Sequence, residues 1–308
     1  MTTAASTCGR ESRLSDQAEH RGGSPAKETP RDSQSVDRIC TNAHTYYAVT
    51  PGVEAAWKEL LVRIGREADV AFDFLPYPLP QSQEELWSRS DLGCVFMMCG
   101  YPIAMRHLPV TPIAAPIPSA PWTQGRGLYR SNLIVKVDSR ARTLIDTFSG
   151  RVGWTTIHSH SAFNALRHHL LQYRTPDRPT LYCQAVGNLG SVRKLFDSVC
   201  DGTIDVASVD AYWHLLLQHH QPECAAHVRM IESTATAPIP ALVASPAVPP
   251  EVIEHLAVSF ASAQHRTWFH SLADAVMIVG FMACALDDFD IIRARDLAAI
   301  RAGYPLPA

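Results

Sequence analysis

The sequence predicts an α/β protein with two domains, and three observations support this prediction. Segments with strand and helix patterns alternate along the chain, which is typical of a parallel sheet covered by helices. The chain has 308 residues, enough for two domains of ordinary size. Hydrophobic residues make up 46% of it and charged residues 19%, as in globular proteins.

The composition also argues against several classes of protein. The formal net charge is -3, so we expect no nucleic-acid partner. No apolar run approaches the ~18–20 residues of a membrane-spanning helix, so we expect no membrane span. The 8 cysteines are scattered without a CxxC pair, and we expect most of them to be buried free thiols.

The first half of the chain contains repeated strand-to-helix units. Residues 1–41 are polar and lack the apolar segment of a secretory signal, so we expect a disordered leader. The proline-rich stretch 109–121 predicts an edge and a loop rather than a central strand. The elements predicted between them are a strand at 45–49, a helix at 53–64 capped by Thr50 and Pro51, a strand at 70–75, a helix at 82–88 and a strand at 94–98.

A second domain is predicted to begin near residue 131. We expect the C-terminal helices to return to the first domain, which makes that domain discontinuous. The predicted strands are 133–137, 180–186, 204–209, 228–232 and 238–244, and the predicted helices are 141–148, 162–171, 191–200, 211–219, 249–263, 272–285 and 291–301.

Residues 154–164 carry a strand, a Ser/His turn and the start of a helix. The Ser159 and Ser161 hydroxyls, with the free amides of the first helical turn, form a cradle for an oxyanion. The alternative is an ordinary capped helix that binds nothing.

Five motifs in one order resemble the phosphate, phosphite and phosphonate substrate-binding proteins of ABC transporters. The resemblance covers the chain from about residue 42 to the C-terminus. The motifs are Cys99-Gly100-Tyr101-Pro102, Tyr129-Arg130-Ser131, Ser159-His160-Ser161-Ala162, the segment from Gly202 to Ala211, and Pro238-Ile239-Pro240.

The resemblance implies a two-lobed, type 2 periplasmic-binding-protein-like fold. Each lobe would be a mostly parallel sheet flanked by helices, and two crossover strands, near 129–133 and 231–239, would join the lobes. Lobe 1 would comprise 42–130 plus 238–308, and lobe 2 would comprise 131–237. Closure of the lobes over a ligand would be the working motion.

The ligand contacts implied by the resemblance come from both lobes. Neutral donors at a helix start suit a tetrahedral oxyanion, and one carboxylate can accept a hydrogen bond from a protonated ligand oxygen. That combination favours protonated phosphorus oxyanions over sulfate. The implied contacts are Tyr46 or Tyr47, Tyr101, Ser159, His160, Ser161 and Asp210.

Several of these residues have a structural alternative. Tyr101 could plug the end of the sheet, and Asp210 could cap the following helix. Tyr46 and Tyr47 alternate on a strand, so one would face the core and the other the cleft. The sequence also departs from the family, which usually has an imidazole where this chain has Val192.

We therefore expect a non-catalytic solute-binding protein that captures a small oxyanion and delivers it to an ABC permease if it is exported. We expect a monomer without cofactor or metal. The resemblance implies a periplasmic location, whereas the lack of a visible signal leaves a cytoplasmic one open. The alternatives are a cytoplasmic ligand sensor, an enzyme on the same scaffold such as a hydrolase using Cys99 or Ser161 with His160, and a metal site at His158, His160, His168 and His169.

Overall fold

The computed structural model describes residues 37–42, 46–75 and 83–308, so most of the predicted leader lies outside the described residues. The strands are β1 Asp37–Asn42, β2 Val70–Leu75, β3 Cys94–Met98, β4 Thr111–Pro118, β5 Leu128–Tyr129, β6 Ser131–Lys136, β7 Arg151–Gly153, β8 Gln184–Val186, β9 Val206–Asp210, β10 Val228–Ser233, β11 Ala237–Pro238, β12 Ala241–Ala244 and β13 Ile278–Ala283. The α-helices are α1 Pro51–Glu67, α2 Gln83–Trp87, α3 Gly100–Ala104, α4 Ala165–Leu170, α5 Val192–Cys200, α6 Ala211–His220, α7 Pro222–Ala225, α8 Pro250–Ser262, α9 Phe269–Val276 and α10 Asp290–Arg301.

The first sheet is built from both ends of the described chain, in the order β13-β4-β12-β3-β1-β2. β1 pairs in parallel with β2 and β3, whereas β12 pairs antiparallel with β3 and β4, and β13 with β4. Four strands therefore run in one direction, and β12 and β13 run in the other. Helices α1 and α8 pack on this sheet.

The second sheet has the order β10-β6-β9-β7-β8. β7 pairs in parallel with β8 and β9, whereas β6 pairs antiparallel with β9 and β10. Only β6 therefore runs against the other strands of this sheet. Helices α5 and α6 pack on it.

A short ribbon joins the two sheets. β5 and β11 pair antiparallel, with Tyr129 opposite Ala237 and Leu128 opposite Pro238. Each ribbon strand precedes one of the reversed strands, β6 in one sheet and β12 in the other. The predicted fold class, two mostly parallel α/β lobes joined by two crossover strands, is confirmed.

The lobes pack against each other through one hydrophobic cluster. This cluster contains Trp57 and Phe96 beside the first sheet and Phe196 and Tyr212 beside the second. A smaller cluster around Leu166 lies in lobe 2. The two lobes are therefore in contact in this structure.

The exact lobe boundaries stay a prediction, and the described contacts differ from it at both ends. β1 begins at Asp37, inside the predicted leader 1–41. At the other end, Tyr304 packs in the lobe 2 cluster, and the Leu181 amide donates to the carbonyl of Ala308 at 3.1 Å. The last residues of the predicted lobe 1 segment 238–308 therefore contact lobe 2.

The strand predicted at 45–49 is wrong for residues 46–49, which form a turn and loop before α1. The first strand among the described residues is β1, which has few aliphatic residues and therefore a weak hydrophobic pattern. Its polar end is satisfied by β3: the Asn42 side-chain amide donates to the Phe96 carbonyl at 3.1 Å and accepts from the Phe96 amide at 2.9 Å. Thr50 caps α1 as predicted, accepting from the Val53 amide at 3.2 Å.

The helix predicted at 272–285 is wrong over its second half. Helix α9 ends at Val276, Met277 has the left-handed φ of 53°, and β13 follows. A short apolar run fits a buried strand and a buried helix equally well, so periodicity could not separate them. Pairing with β4 decides the outcome.

The edge and loop predicted at 109–121 are wrong, because β4 lies inside the sheet between β12 and β13. Its prolines are Pro112, Pro116 and Pro118, which all have the same parity along the strand. Proline is tolerated inside a sheet at bulges, and the pairing of β4 is irregular against both neighbours, between Leu242 and Val243 of β12 and between Ile278 and Gly280 of β13.

Smaller differences concern the helices and strands of lobe 2. The helix predicted at 141–148 is a 3-10 turn, Ile145–Thr147, and the strand predicted at 180–186 is shortened to β8. The helix predicted at 162–171 begins as a π-helical turn, His160–Asn164, and continues as α4.

Candidate functional site

The predicted cradle lies after β7, where the chain turns into the π-helical turn His160–Asn164. Ser159 has extended backbone and is its N-cap, accepting a hydrogen bond from the Ala162 amide at 3.1 Å. The Asn164 amide donates to the carbonyl of Ser159 at 3.1 Å, which is the i to i+5 pattern of a π-helix. The Ser159 hydroxyl is therefore already used as a cap, as the alternative interpretation expects.

Two buried serines from the sheet hold this turn in place. The hydroxyls of Ser131 and Ser208 donate to the carbonyl of Ser161 at 2.9 and 2.7 Å. Ser131 begins β6 and Ser208 lies in β9, so both central strands fix the same peptide. The Ser161 side chain lies close to Tyr129 on the crossover ribbon.

His160 is a buried, neutral imidazole. Its side chain is within the protein, 2% exposed, and its ring lies 5.9 Å from the ring of Tyr129. Burial lowers the pKa of His160 to about 3, with a smaller contribution from the cation of Arg295. Its Nδ1 lies 3.2 Å from the side-chain nitrogen of Asn164. His160 is therefore available to the site as a neutral hydrogen-bonding group and not as a cation.

Asp210 connects the two lobes. Its Oδ1 caps α6 by accepting from the amides of Tyr212 and Trp213 at 2.8 and 3.1 Å. Its Oδ2 accepts a hydrogen bond from the Tyr47 hydroxyl at 2.8 Å. Burial raises the pKa of Asp210 to about 7, although these hydrogen bonds oppose the shift. The predicted cap is therefore present, and the same carboxyl group also binds the Tyr47 hydroxyl, whereas the predicted ligand contact stays a prediction.

The two neighbouring tyrosines both lie at the lobe interface. Tyr47 is fully buried, and its ring centroid is 4.5 Å from that of Tyr46. The Tyr46 hydroxyl donates to the carbonyl of Met97 at 3.2 Å, and Met97 has an unusual φ of 63° at the end of β3. Burial raises the pKa of both tyrosines well above the usual range, so both hydroxyls stay protonated. Tyr47 is buried and Tyr46 partly exposed, but both lie in a turn and not on a strand, so strand alternation does not decide which of them faces a ligand.

Tyr101 lies at the margin of this cluster. Its ring is 6.4 Å from that of His158, and its hydroxyl donates to Asp296 Oδ1 at 3.2 Å. Burial raises the pKa of Tyr101 to about 12, and the Asp296 carboxylate adds to the shift. Gly100 allows this approach, because a Cβ there would lie 2.6 Å from Ile292 on α10.

Asp296 also forms a buried ion pair with Arg167 of α4, whose side chain is 5% exposed. Arg167 donates further to the carbonyl of Pro305 at 3.1 Å. The pair therefore joins α4 of lobe 2 to the C-terminal segment that the sequence assigns to lobe 1.

Sequence reasoning missed Tyr129, Arg167, Arg295 and Asp296 as members of this region. Two of them, Arg295 and Asp296, could have been predicted from the residue pattern of α10. The buried stripe of this helix consists of Ile292, Arg295, Asp296 and Ala299, and two charged residues on such a stripe indicate a buried polar contact. The residue in place of the family's imidazole, Val192, packs on the hydrophobic cluster behind the Ser191 cap of α5.

The arrangement of the described residues bears on two of the alternatives, the metal site and the hydrolase. Within residues 37–42, 46–75 and 83–308, no group of three His, Cys, Asp or Glu side chains could hold a metal ion. His160 Nδ1 pairs with the side-chain nitrogen of Asn164 at 3.2 Å, and among the described residues no hydrogen bond joins His160 to Ser161. In the same residues, every helix is too short or too polar to cross a membrane.

The fold and site together define a two-lobed solute-binding protein. Two lobes meet at a buried cluster of tyrosine hydroxyls, one carboxyl group and a serine-capped helical turn, and a crossover ribbon joins them. The family model for the periplasmic substrate-binding protein of phosphonate ABC transporters matches residues 49–289. The chain belongs to this family. Its members are transport proteins that bind a solute and act with a permease, and the family is not one of enzymes.

Solved structures show the same fold. The binding protein component of an ABC phosphonate transporter from Pseudomonas aeruginosa is 17% identical, with a TM-score of 0.68 over 87% of this chain and 88% of that one. PhnD1 from Prochlorococcus marinus, solved in complex with methylphosphonate, is 12% identical, with a TM-score of 0.68 over 86% and 98%. XAC2383 from Xanthomonas citri, bound to ATP, is 16% identical, with a TM-score of 0.58 over 87% and 98%. No curated protein sequence shows significant similarity to the chain.

Proposed function

We propose that this protein binds a small phosphorus oxyanion, such as phosphate, phosphite or an alkylphosphonate, between its two lobes. Tyr46, Tyr47 and Tyr101 would contact it from one side, and Ser159, His160, Ser161 and Asp210 from the other. Binding without turnover, as a monomer, followed by delivery to an ABC permease, completes the proposed function.

The observation that carries this proposal is the hydrogen bond from Tyr47 to Asp210 at 2.8 Å between the lobes. A protonated phosphorus oxyanion has a P–OH group that can donate to the same carboxyl group. Its remaining oxygens accept hydrogen bonds, and the cluster offers hydroxyl donors and the amides of the capped turn. Sulfate has no proton to donate at neutral pH, so the Asp210 carboxylate disfavours it.

The ligand would therefore replace contacts that the closed lobes now make with each other. The Ser161 peptide is held by Ser131 and Ser208, so the donors of the turn are positioned before a ligand arrives. Preorganised donors lose little entropy on binding, and this favours affinity for a small anion.

A thermal-shift panel tests the proposal directly. Phosphate, phosphite, methylphosphonate, sulfate and acetate are each added to the protein. A ligand at ~100 times its dissociation constant should add ~2.7 kcal/mol to the free energy of unfolding. We expect a phosphorus oxyanion to give the largest shift. No shift with any of them, or a larger shift with acetate, would reject this ligand class.

A serine pair provides the matched variants. Ser161→Ala should remove most of the shift and leave the melting temperature without ligand nearly unchanged. Ser262→Ala is the control, because the Ser262 hydroxyl bonds to the carbonyl of Ser259 in its own helix. Equal shifts in both variants would show that the cradle does not hold the ligand.

A further inference from the structure

A cavity lies where α4, the crossover after β10 and α10 meet. Its volume is about 280 Å³. This is near the lower limit of ligand pockets, ~300–1,000 Å³, so it suits a small solute. We call it the hinge pocket, and its walls include Ala165, His168, His169, Gln172, Thr234 and Arg295.

Arg295 gives this pocket its charge. The residue is 9% exposed, and its Nη2 donates to the carbonyl of Thr236 at 2.7 Å. It forms no ion pair with an acidic group in the described part of the chain, whereas buried Arg167 has Asp296. A guanidinium has five N–H donors, and burying one without a counterion is costly. Arg295 is therefore a buried cation with donors to spare on a pocket wall.

His168 adds a second donor to the lining of this pocket. It is half-buried, and its side chain makes no hydrogen bond with another described residue. Its neighbour His169 is engaged with Glu232, at 2.7 Å between Nε2 and Oε1, and Glu232 also accepts from Tyr173 at 3.1 Å. The nearby carboxylate is therefore already satisfied on two sides, and no acidic side chain lines the pocket.

We propose that the hinge pocket binds one small inorganic oxyanion, of the size of sulfate or phosphate, between Arg295 and His168. The anion would supply the countercharge that Arg295 lacks and accept hydrogen bonds from both side chains. This site is separate from the proposed solute site: it contains no hydroxyl cluster and no carboxyl group, so it does not need a protonated ligand.

Sulfate distinguishes the two sites, because the hinge pocket should accept it and Asp210 should disfavour it. Isothermal titration of the full chain with sodium sulfate should show saturable binding of about one ion. Gln172 is exposed, so Gln172→Glu adds a carboxylate to the pocket wall without disturbing the core. Repulsion should weaken sulfate binding by at least about tenfold. Gln172→Ala is the matched control and should bind sulfate like the parent.

Two further variants locate the ion. Arg295→Gln should abolish sulfate binding, and Ser262→Ala, whose lost hydroxyl bonds only within its own helix, should leave it unchanged. If Arg295→Gln fails to fold, Gln172→Glu still decides the question. The proposal is overturned if the parent shows no saturable binding, or if Gln172→Glu binds sulfate as tightly as Gln172→Ala.

Discussion

Asp210 is the residue that couples protonation to structure. Its pKa is raised from 3.8 to about 7 because the carboxyl group is buried. Between these two values the folded protein holds a proton that the unfolded chain has lost. The contribution of Asp210 to the free energy of unfolding therefore falls as the pH rises from ~4 to ~7, by at most ~4 kcal/mol at 1.36 kcal/mol per pKa unit.

Urea unfolding of the parent and of Asp210→Asn, at intervals from pH 4 to pH 8, measures this effect. Asparagine is also a good N-cap, so α6 keeps its cap in the variant. We expect the parent to lose stability relative to the variant up to about pH 7 and then to remain constant. A difference that stays the same throughout would show that Asp210 is ionised in the folded protein at all these pH values.

Tyr47 is the partner of this carboxyl group, and its contribution should depend on the same proton. A hydrogen bond to a charged group stabilises by ~1.5–3 kcal/mol and one to a neutral group by ~0.5–1.5 kcal/mol. Tyr47→Phe should therefore destabilise the protein more at pH 8 than at pH 5, as measured by urea unfolding. Tyr46→Phe is the control: it loses a bond to the carbonyl of Met97, which does not titrate, so its cost should be equal at both pH values.

At the scale of elements, the π-helical turn His160–Asn164 depends on strands that are distant in sequence. Ser208→Ala would leave the carbonyl of Ser161 with one hydroxyl donor instead of two. We expect a loss of ~1 kcal/mol of stability, the net contribution of an ordinary hydrogen bond, and weaker binding of the ligand found in the thermal-shift panel.

Ser198→Ala is a matched control for this prediction. Ser198 is also buried in lobe 2, but its hydroxyl donates to the carbonyl of Lys194 inside α5, at 2.8 Å. It should cost a similar free energy of unfolding and leave the ligand affinity unchanged. If both variants bind the ligand like the parent, the position of the turn does not control binding.

Elements with local signals could be predicted from the sequence. Thr50 and Asp210 cap α1 and α6 where the sequence places them, because capping residues act on the next few amides. β13 and β4 could not be predicted, since sheet pairing between distant segments overrides a weak or ambiguous local pattern. The same distinction applies to the site residues. Ser159 could be predicted because it caps the helical turn that follows it, whereas Arg167 and Asp296 come into contact only when α4 and α10 pack.

At the scale of the whole molecule, the ion pair between Arg167 and Asp296 helps to hold the lobes together. Both side chains are almost fully buried, and Tyr101 donates to the same carboxylate. Removing one partner of a buried pair leaves an uncompensated charge and costs ~3–5 kcal/mol. Asp296→Asn should therefore strongly destabilise the protein in urea unfolding.

Two further variants test whether the loss of stability in Asp296→Asn comes from the buried, unpaired charge. Arg106 pairs with Asp287 and Asp290 at the surface, at 3.0 and 3.3 Å, so Arg106→Gln should cost no more than ~1 kcal/mol. The double variant Arg167→Met with Asp296→Asn removes both buried charges and keeps an acceptor for Tyr101. Because the penalty comes from the unpaired cation, the double variant should be more stable than Asp296→Asn alone. If it is equally or less stable, packing at this junction, and not the buried charge, determines how firmly α4 and α10 are joined.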